Sequence, residues 1–249
     1  MLKKELPSGM MMYVFEPEEG KHFGNRITVL QSEDKVVLID AGYEYQALQV
    51  IKNLEERHLK IEGIIITHFH GDHMEGLRAM SGIPVYGSSY YKDTLDMWPP
   101  KEEHKYFTPT VPVEAPMKLS FGMHEVEIIP FPGHSICTSI IKINNKYIHV
   151  GDELMFSNQG EPLLPCTTKA GIKMQYESVN RLKDYLGYTF LFGHGEPIQD
   201  QKQLEDIIEN TKRYFDKILS SASPISFEEA TRDCSCTFLH SEWHENIYK

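Results

Sequence analysis

Residues 63 to 73 read Gly-Ile-Ile-Ile-Thr-His-Phe-His-Gly-Asp-His, an apolar run that leads straight into four side chains of metal-binding type. The run has the compact apolar composition of a buried strand. The residues that follow it, 73 to 80, are predicted to form a short helix. The loop between this strand and this helix therefore presents the four side chains together.

The spacing within this loop favours a metal site. His68 and His70 alternate, so in an extended turn both imidazoles point the same way. Gly71 then lets the chain bend back and present Asp72 and His73. One turn therefore has the ligands to serve two adjacent ions.

Three later segments repeat one arrangement, an apolar strand that ends in a glycine followed by a ligand-type side chain. The side chains are those of His134, Asp152 and His194. Glycine permits a sharp turn, which projects each side chain from the sheet edge into a shared cleft. Four strand ends aimed alike indicate convergence on one site. The predicted metal ligands are His68, His70, Asp72, His73, His134, Asp152 and His194.

The types of ligand narrow the choice of metal. Five histidines and two carboxylates, with no thiolate among them, suit borderline divalent ions. We expect Zn²⁺, with Fe, Mn or Co as alternatives.

The pattern along the rest of the chain predicts a strand-rich α/β fold. Amphipathic helices are predicted at 45 to 58 and 204 to 219. Two segments fit neither pattern: residues 88 to 118 are rich in Pro, Tyr and charge, and residues 156 to 170 are turn-rich. Both are predicted to be long irregular insertions and are candidate walls or lids of a substrate pocket, with plain surface loops as the alternative. Further strands are predicted at 10 to 15, 26 to 30, 35 to 40, 84 to 87, 125 to 130, 139 to 143, 146 to 150 and 189 to 192.

Composition limits the classes of function. With 249 residues and 41% hydrophobic content, the chain is expected to form one domain over residues 1–249, with 220–249 as a C-terminal extension. The formal net charge of −11 repels polyanions, so we expect a small-molecule substrate and neither nucleic acid nor membrane as a partner. No signal-peptide pattern or membrane span is visible, so cytoplasmic location is expected.

The four cysteines are too few for a disulfide framework. Two of them lie near two histidines in the C-terminal segment. A third, zinc-type site there is the alternative to a pair of ordinary thiols on a surface segment. The residues concerned are Cys234, Cys236, His240 and His244.

The order His-x-His-x-Asp-His, Gly-His, Gly-Asp and Gly-His, each after a strand, resembles the metallo-β-lactamase superfamily over most of the chain. The resemblance implies an αββα sandwich of two mixed β-sheets flanked by helices, with two divalent metal ions at one edge of the sheets. The implied ligands of the first ion are His68, His70 and His134. Those of the second are Asp72, His73 and His194, and Asp152 bridges the two.

Asp40 matches the buried aspartate that supports the first motif in this family. Its expected role is to accept hydrogen bonds that orient the ligands, with an N-cap for the helix near Tyr43 as the alternative. The remaining histidines match no motif position and are expected to be structural or surface residues. They are His22, His58, His104, His124 and His149.

The resemblance implies a dinuclear-metal-dependent hydrolase in which a metal-bridging hydroxide attacks a small ester, lactone or thioester. Asp72 is the candidate catalytic residue that takes and returns the proton. The alternatives are a mononuclear iron oxidoreductase similar to persulfide dioxygenases, a phosphodiesterase, and a non-catalytic metal-stabilised binding protein.

Branches of the family differ at the bridging ligand, at the residue three positions after it and in the C-terminal region. Asp152 stands where true β-lactamases carry Cys or Ser, which argues against antibiotic hydrolysis. Homoserine-lactone lactonases place a tyrosine three residues after the bridging aspartate, where this chain has Met155. Glyoxalase II is similar in its ligands but adds a basic helical C-terminal region, whereas this tail is short and acidic. The candidates to fill the lactonase tyrosine's space are Tyr90, Tyr91 and Tyr176.

Overall fold

The computed structural model describes residues 1–97 and 99–249. Trp98, which falls within the predicted pocket segment 88 to 118, lies outside the described residues. The first of two sheets has seven strands in chain order, antiparallel up to the fourth strand and parallel from the fourth to the seventh. Its strands are β1 (Leu2–Leu6), β2 (Met10–Phe15), β3 (Asn25–Ser32), β4 (Lys35–Ile39), β5 (Lys60–Ile65), β6 (Val85–Ser88) and β7 (Val111–Val113).

The second sheet has five strands in the order β12-β11-β10-β9-β8. Its neighbours are antiparallel except β11 and β12, which are parallel. Both sheets are therefore mixed, as expected. The strands are β8 (Met117–Phe121), β9 (His124–Pro130), β10 (Ser139–Ile143), β11 (Tyr147–His149) and β12 (Thr189–Leu191).

Helices cover the outer faces of the two sheets. The α-helices are α1 (Glu44–Glu56), α2 (Gly71–Met74), α3 (Tyr91–Leu95), α4 (His104–Phe107), α5 (Ile172–Arg181), α6 (Gln201–Ser220) and α7 (Phe227–Ala230). Short 3₁₀ helices span Glu75–Ala79, Lys101–Glu103, Leu182–Tyr185 and Ser241–Tyr248. None of the helices in the described part of the chain is long and apolar enough to cross a membrane.

Alternation along the strands divides the core into layers, because successive side chains of a strand face opposite ways. On β4, Leu38 packs in the core beneath α1, whereas Ile39 packs between the sheets. On β10, Ile141 joins that same inter-sheet core, whereas Ile140 packs in the core beneath α5 and α6. The layers follow the order helix, sheet, sheet, helix, which confirms the expected αββα sandwich.

The predicted elements agree with the observed ones where the apolar pattern is strong. The strand at 139 to 143 is observed with those bounds, and the helix at 204 to 219 begins three residues earlier, at Gln201. The helix predicted at 73 to 80 is instead a four-residue α-helix that continues as a 3₁₀ helix. Segment 88 to 118 is not an irregular insertion, since it contains α3, α4 and β7.

The C-terminal segment, residues 220–249, packs against the core beneath α6 through Ala230, Phe238 and Ile247. Its ligand-type residues do not come together as the third-site alternative required. Among the described residues, the groups that could hold a metal ion exclude all four of them. His244 is instead buried, and it hydrogen-bonds the Tyr214 hydroxyl and the Ile225 carbonyl at 2.8 Å each.

Candidate metal centre

Strand direction brings the predicted ligands to one edge of the sandwich. β4 and β5 are parallel, so Asp40 and the loop 68 to 73 both follow carboxyl ends of strands. In the other sheet, β9 and β11 are each antiparallel to β10, and β12 is parallel to β11. The carboxyl ends of these three strands therefore share an edge, and His134, Asp152 and His194 follow them.

Three histidines form the first cluster. The Nδ1 atom of His70 lies 3.1 Å from Nε2 of His68 and 3.1 Å from Nε2 of His134. Around a tetrahedral zinc ion with Zn–N bonds of about 2.1 Å, ligand nitrogens would be about 3.4 Å apart. The two separations are slightly shorter than this value, and all three nitrogens lie within 4.8 Å of one another, which is compatible with ligands of one cation.

The neighbours of His68 determine which of its two ring nitrogens carries the proton. The Thr67 hydroxyl lies 3.0 and 2.9 Å from the two carboxylate oxygens of Asp40, so it donates to that carboxylate. The hydroxyl oxygen can then accept a hydrogen bond from Nδ1 of His68, which is 3.1 Å away. Nε2 of His68 is consequently left with a lone pair that points into the cluster.

Asp72, His73, Asp152 and His194 form the second cluster, whose ligand atoms all lie within 4.8 Å of one another. Nε2 of His194 is 3.2 Å from Oδ2 of Asp72 and 3.3 Å from Oδ2 of Asp152. Nε2 of His73 is also 3.3 Å from that Asp152 oxygen.

Oδ2 of Asp152 lies between the two clusters. Beyond its two neighbours in the second cluster, it is 3.7 Å from Nε2 of His68 and 3.9 Å from Nε2 of His134. This is the position that a bridging carboxylate would occupy. The structure therefore brings the seven predicted side chains together in two groups, with Oδ2 of Asp152 close to both.

Buried acceptors orient the two histidines of the second cluster. Nδ1 of His73 donates to Oδ2 of Asp40 at 2.8 Å, and Nδ1 of His194 donates to the carbonyl of Gly24. In each ring the other nitrogen then faces the cluster. Asp40 is fully buried and α1 begins at Glu44 with Tyr43 as its N-cap, so the alternative N-cap role for Asp40 is wrong.

The clusters differ in their electrostatics. Burial and neighbouring imidazoles keep the pKa of His68 well below its usual range and lower that of His134 to about 3. Burial opposes protonation in the second cluster too, but the Asp152 carboxylate raises the pKa of His194 to about 9. The first cluster therefore offers neutral imidazoles, and the second carries carboxylates that attract a cation.

The residues present fit a pair of divalent ions. In the first cluster, imidazole nitrogens of three histidines converge at separations of about 3 Å, close to the spacing of nitrogen ligands around one ion. In the second, Oδ1 of Asp152 is buried without a hydrogen-bond partner. Imidazole nitrogens and carboxylate oxygens are the ligands that borderline divalent ions prefer.

The glycines that precede His134, Asp152 and His194 act in two ways. Gly151 has a φ of +55°, the left-handed conformation that a sharp turn needs. Gly133 and Gly193 do not have this conformation, and they are needed because neighbouring side chains pack closely against their backbone. A Cβ on Gly193 would lie 2.4 Å from Oδ1 of Asp152, and one on Gly133 would lie 2.0 Å from Oγ of Ser178. The expectation that all three permit sharp turns is therefore correct only for Gly151.

A family model described as the metallo-beta-lactamase superfamily matches residues 22–194. The chain belongs to the metallo-β-lactamase superfamily. The match contains all seven predicted ligands and both sheets except β1 and β2, and this superfamily has the αββα sandwich observed here.

Curated relatives in this superfamily carry one name, hydroxyacylglutathione hydrolase. That of Hahella chejuensis is 30% identical over 116 residues, which cover 45% of this chain and 39% of the relative. That of Actinobacillus pleuropneumoniae serotype 5b is 22% identical over 185 residues, 74% of this chain and 71% of the relative. That of Pectobacterium atrosepticum is 27% identical over 165 residues, 64% and 57% respectively. The chain thus spans about two fifths to seven tenths of the length of these relatives.

Solved metallo-β-lactamases share the fold. The enzyme from Pontibacter korlensis superposes with a TM-score of 0.67 at 18% identity, covering 84% of this chain and 97% of its own. A DIM-1 metallo-β-lactamase gives 0.66 at 18% identity, covering 84% and 96%. At such identities the likeness concerns the fold alone.

Above the metal centre of this superfamily member lies a cavity of about 360 Å³, lined in part by residues that the motif did not reveal. The sequence interpretation missed Phe23, Tyr43, Glu75 and Trp243, and it placed Cys166 only within a candidate pocket segment. No local pattern marks them, because they reach the cavity from separate loops and from the C-terminal segment. None of the described residues of 88 to 118 lines this cavity.

The tyrosines proposed to replace the lactonase tyrosine lie elsewhere. Tyr91 packs its ring 5.7 Å from that of Phe69 in the core, Tyr176 packs against the core beneath α5 and α6, and Tyr90 is exposed. Tyr43 lines the cavity instead, and burial together with the charge of Asp72 raises the pKa of its hydroxyl. Tyr43 therefore stays protonated and can donate a hydrogen bond.

Glu153 stabilises the loop that carries the metal-centre residue His134. Its Oε1 atom accepts a hydrogen bond from the backbone N–H of His134 at 2.8 Å, and its other carboxylate oxygen accepts from the Ser178 hydroxyl. Burial raises the pKa of Glu153 to about 8. Glu153 and Ser178 together fix the loop that carries His134, a role that the sequence interpretation did not assign.

Proposed function

We propose that this chain is a metal-dependent hydrolase that binds two divalent ions and cleaves a small ester, lactone or thioester. The observation that carries the proposal is the junction of two donor clusters at Oδ2 of Asp152, which lies within 3.9 Å of four imidazole nitrogens. A bridging carboxylate is not needed to stabilise a fold, since one cluster of three or four ligands is enough for that.

The names of the curated relatives support the choice of an acyl substrate. They are called hydroxyacylglutathione hydrolases, which cleave a thioester. Their identity to this chain is only 22% to 30%, so we carry over the class of bond and not the particular thioester.

The residues proposed to hold the ions are the seven that the sequence singled out. The first set is His68, His70 and His134, the second is Asp72, His73 and His194, and Asp152 belongs to both. The chemistry that a pair of divalent ions supplies at such a site is an activated water and a polarised carbonyl. Zn²⁺ is the ion we propose, with Fe or Mn as alternatives.

The other steps fall to side chains of this chain. A carboxylate oxygen of Asp72 accepts the proton of the attacking water and returns it to the leaving oxygen or sulfur. Burial is outweighed by His73 and His194, which hold the pKa of Asp72 below its usual range, so its side chain is present as the carboxylate, the form that can accept a proton. The Tyr43 hydroxyl donates a hydrogen bond to the substrate from the cavity wall.

The proposal is tested by measuring both the metal content of the protein and its rate of hydrolysis. We expect two zinc ions per chain and hydrolysis of at least one class among uncharged esters, lactones and thioesters. Asp72→Asn should lower kcat by about 100-fold or more, whereas Asp206→Asn, an exposed change on α6, should leave it unchanged.

Any of three results would overturn the proposal. One is retention of full metal content and full turnover by Asp152→Asn and His70→Ala proteins. Another is a single iron per chain with oxygen consumption on a persulfide, which would indicate the dioxygenase alternative. The third is metal retention without turnover on any ester, lactone, thioester or phosphodiester, which would indicate a binding protein.

We also propose that residues 1–249 act as one domain in the cytoplasm on a small molecule, without nucleic acid or membrane as a partner. The net charge of −11 supports this choice, because it opposes approach to polyanions.

A further inference from the structure

An aromatic wall stands directly beside the metal centre. The Phe23 ring lies 4.3 Å from the imidazole of His194, and the Trp243 ring lies 5.1 Å from Phe23 in an edge-on contact. Both side chains are half-buried and line the cavity. An acyl group whose carbonyl reaches the metal centre would therefore place its next atoms against this aromatic wall, which we define as Phe23 and Trp243.

The C-terminal segment holds Trp243 in place. The imidazole of His240 stacks on the Trp243 ring at 4.4 Å with an interplanar angle of 8°. The next residue, His244, is anchored by its buried hydrogen bonds to Tyr214 and Ile225. The wall is thus formed before a ligand arrives, and a ligand that packs on it loses little free energy to ordering the protein.

The side-chain charges around the cavity are mostly negative. Among the described residues that line it, none is a lysine or arginine. Asp72 and Asp152 are proposed metal ligands, whose charges the bound ions would balance. Glu75 is the other carboxylate of the lining, and it lies 3.5 Å from a guanidinium nitrogen of Arg78. Two adjoining depressions share its aromatic residues and carry further glutamates. These are Glu18, Glu19, Glu44 and Glu242.

One ammonium group lies among the described residues of those depressions, that of Lys21, and it is paired with Oε2 of Glu18 at 2.5 Å. The approach to the metal centre therefore offers an anionic substituent no unpaired ammonium or guanidinium partner. Away from the proposed ions, a carboxylate placed among these glutamates would be desolvated without a cationic side chain to pair with.

We propose that the cavity selects an aromatic, uncharged or cationic acyl group that packs on the wall of Phe23 and Trp243, and that it rejects acyl and thiol parts that carry carboxylates. This proposal rests on the proposed hydrolase function. It separates the chain from its named relatives, because a glutathione thioester carries two carboxylates on its thiol part.

Matched thioesters test the charge selection. With the uncharged thiol N-acetylcysteamine held constant, kcat/KM of the metal-loaded enzyme is measured for phenylacetyl, 4-carboxyphenylacetyl and 4-(trimethylammonio)phenylacetyl groups. We expect the carboxylate to lower kcat/KM by about tenfold or more relative to phenylacetyl, and the cation not to lower it. Phenylacetyl glutathione should be hydrolysed about tenfold less well than its N-acetylcysteamine counterpart.

Charge reversal in an adjoining depression gives an independent control. Glu19→Lys should reduce the discrimination against the carboxylate several-fold, whereas Glu55→Lys, which makes the same change of charge on an exposed part of α1, should not. Raising the salt concentration should weaken the discrimination in the wild-type protein, because screening acts on exposed charges.

The aromatic wall is tested by binding as well as by turnover. Because the chain has two tryptophans, Trp98→Phe leaves Trp243 as the sole one, and its fluorescence should respond to a thioether analogue, S-phenethyl-N-acetylcysteamine. Trp243→Ala should raise KM about tenfold for phenylacetyl but less than about twofold for acetyl, and Trp243→Phe should restore most of the loss.

The outcomes separate this inference from the proposed function. Equal or faster hydrolysis of the carboxylate or glutathione thioesters would overturn the inference while leaving the hydrolase proposal standing. Failure of the loaded enzyme on every thioester would overturn the hydrolase proposal, and the fluorescence titration would then still decide whether the wall binds an aromatic group. A titration without response would overturn the inference in either case.

Discussion

Replacing Asp40 by asparagine should damage the metal centre without removing any ligand. Oδ1 of Asp40 accepts from the Thr67 N–H at 2.8 Å, and Oδ2 accepts from Nδ1 of His73 at 2.8 Å. Asparagine offers one oxygen and one amide group. If its oxygen keeps the Thr67 backbone, its NH₂ group faces the N–H of His73, and two donors oppose each other.

The protein can relieve this conflict by moving the imidazole proton of His73 from Nδ1 to Nε2. Nε2 is the atom that faces Asp152, so the lone pair proposed to bind the second ion would be lost. The alternative is a buried donor without an acceptor, which costs about 1–3 kcal/mol. A penalty of about 2 kcal/mol on the metal-bound state corresponds to about thirty-fold weaker binding, within the range for changes to groups that support metal ligands.

Competition with a chromophoric chelator measures this loss. We expect Asp40→Asn to bind one ion with nearly wild-type affinity at the three-histidine cluster and the other about 10- to 100-fold more weakly. Asp34→Asn, whose carboxylate lies at the surface 3.6 Å from Nζ of Lys60, should bind both ions as the wild type does. Two unchanged affinities in the Asp40→Asn protein would refute the reasoning about the His73 proton.

Three further substitutions test the surroundings of the site. Gly193→Ala should abolish binding of the second ion, because the new Cβ would lie 2.4 Å from Oδ1 of Asp152. Elemental analysis measures the metal content. In the control Gly187→Ala, where the space around the Cβ is open, that content should be unchanged. Tyr43→Phe should lower kcat about three- to tenfold at unchanged metal content, the effect of one lost hydrogen bond, and an unchanged kcat would exclude contact with the substrate. His244→Ala should lower the free energy of unfolding by about 2–4 kcal/mol in denaturant titrations, because the Tyr214 hydroxyl and the Ile225 carbonyl lose their hydrogen bonds. The exposed control Glu245→Ala should change that free energy by less than about 0.5 kcal/mol.

The sequence was informative where chemistry and local pattern coincide. The apolar run before His68 predicts a buried strand, and the ligand spacing after it predicts a turn, because both depend on neighbours in the chain. The strand at 139 to 143 was predicted with its observed bounds for the same reason. Strand β8 was missed, because its alternation of polar and half-buried side chains is typical of an edge strand and gives a weak apolar signal.

Tertiary contacts account for what the sequence could not predict. Phe23 and Trp243 are separated by 219 residues in the chain, yet their rings lie 5.1 Å apart, and no periodicity relates them. Helix α5 was missed for a similar reason, since its buried side chains include Gln175 and Ser178, which read as polar in the sequence. The selectivity of the cavity depends on such contacts and therefore appears only in the folded chain.

Strand direction explains why local motifs from four places form one centre. A parallel connection returns each strand to the same edge, so β4 and β5 deliver Asp40 and the His68 loop side by side. In the other sheet, the hairpins around β10 reverse the chain twice, which gives β9 and β11 one direction, and a parallel connection from β11 adds β12 in that same direction. Because Oδ2 of Asp152 lies within 3.9 Å of imidazoles from both sheets, a small shift between the sheets would separate the clusters. The packing of the inter-sheet core, with Ile39 and Ile141 among its residues, is therefore part of what positions the metal centre.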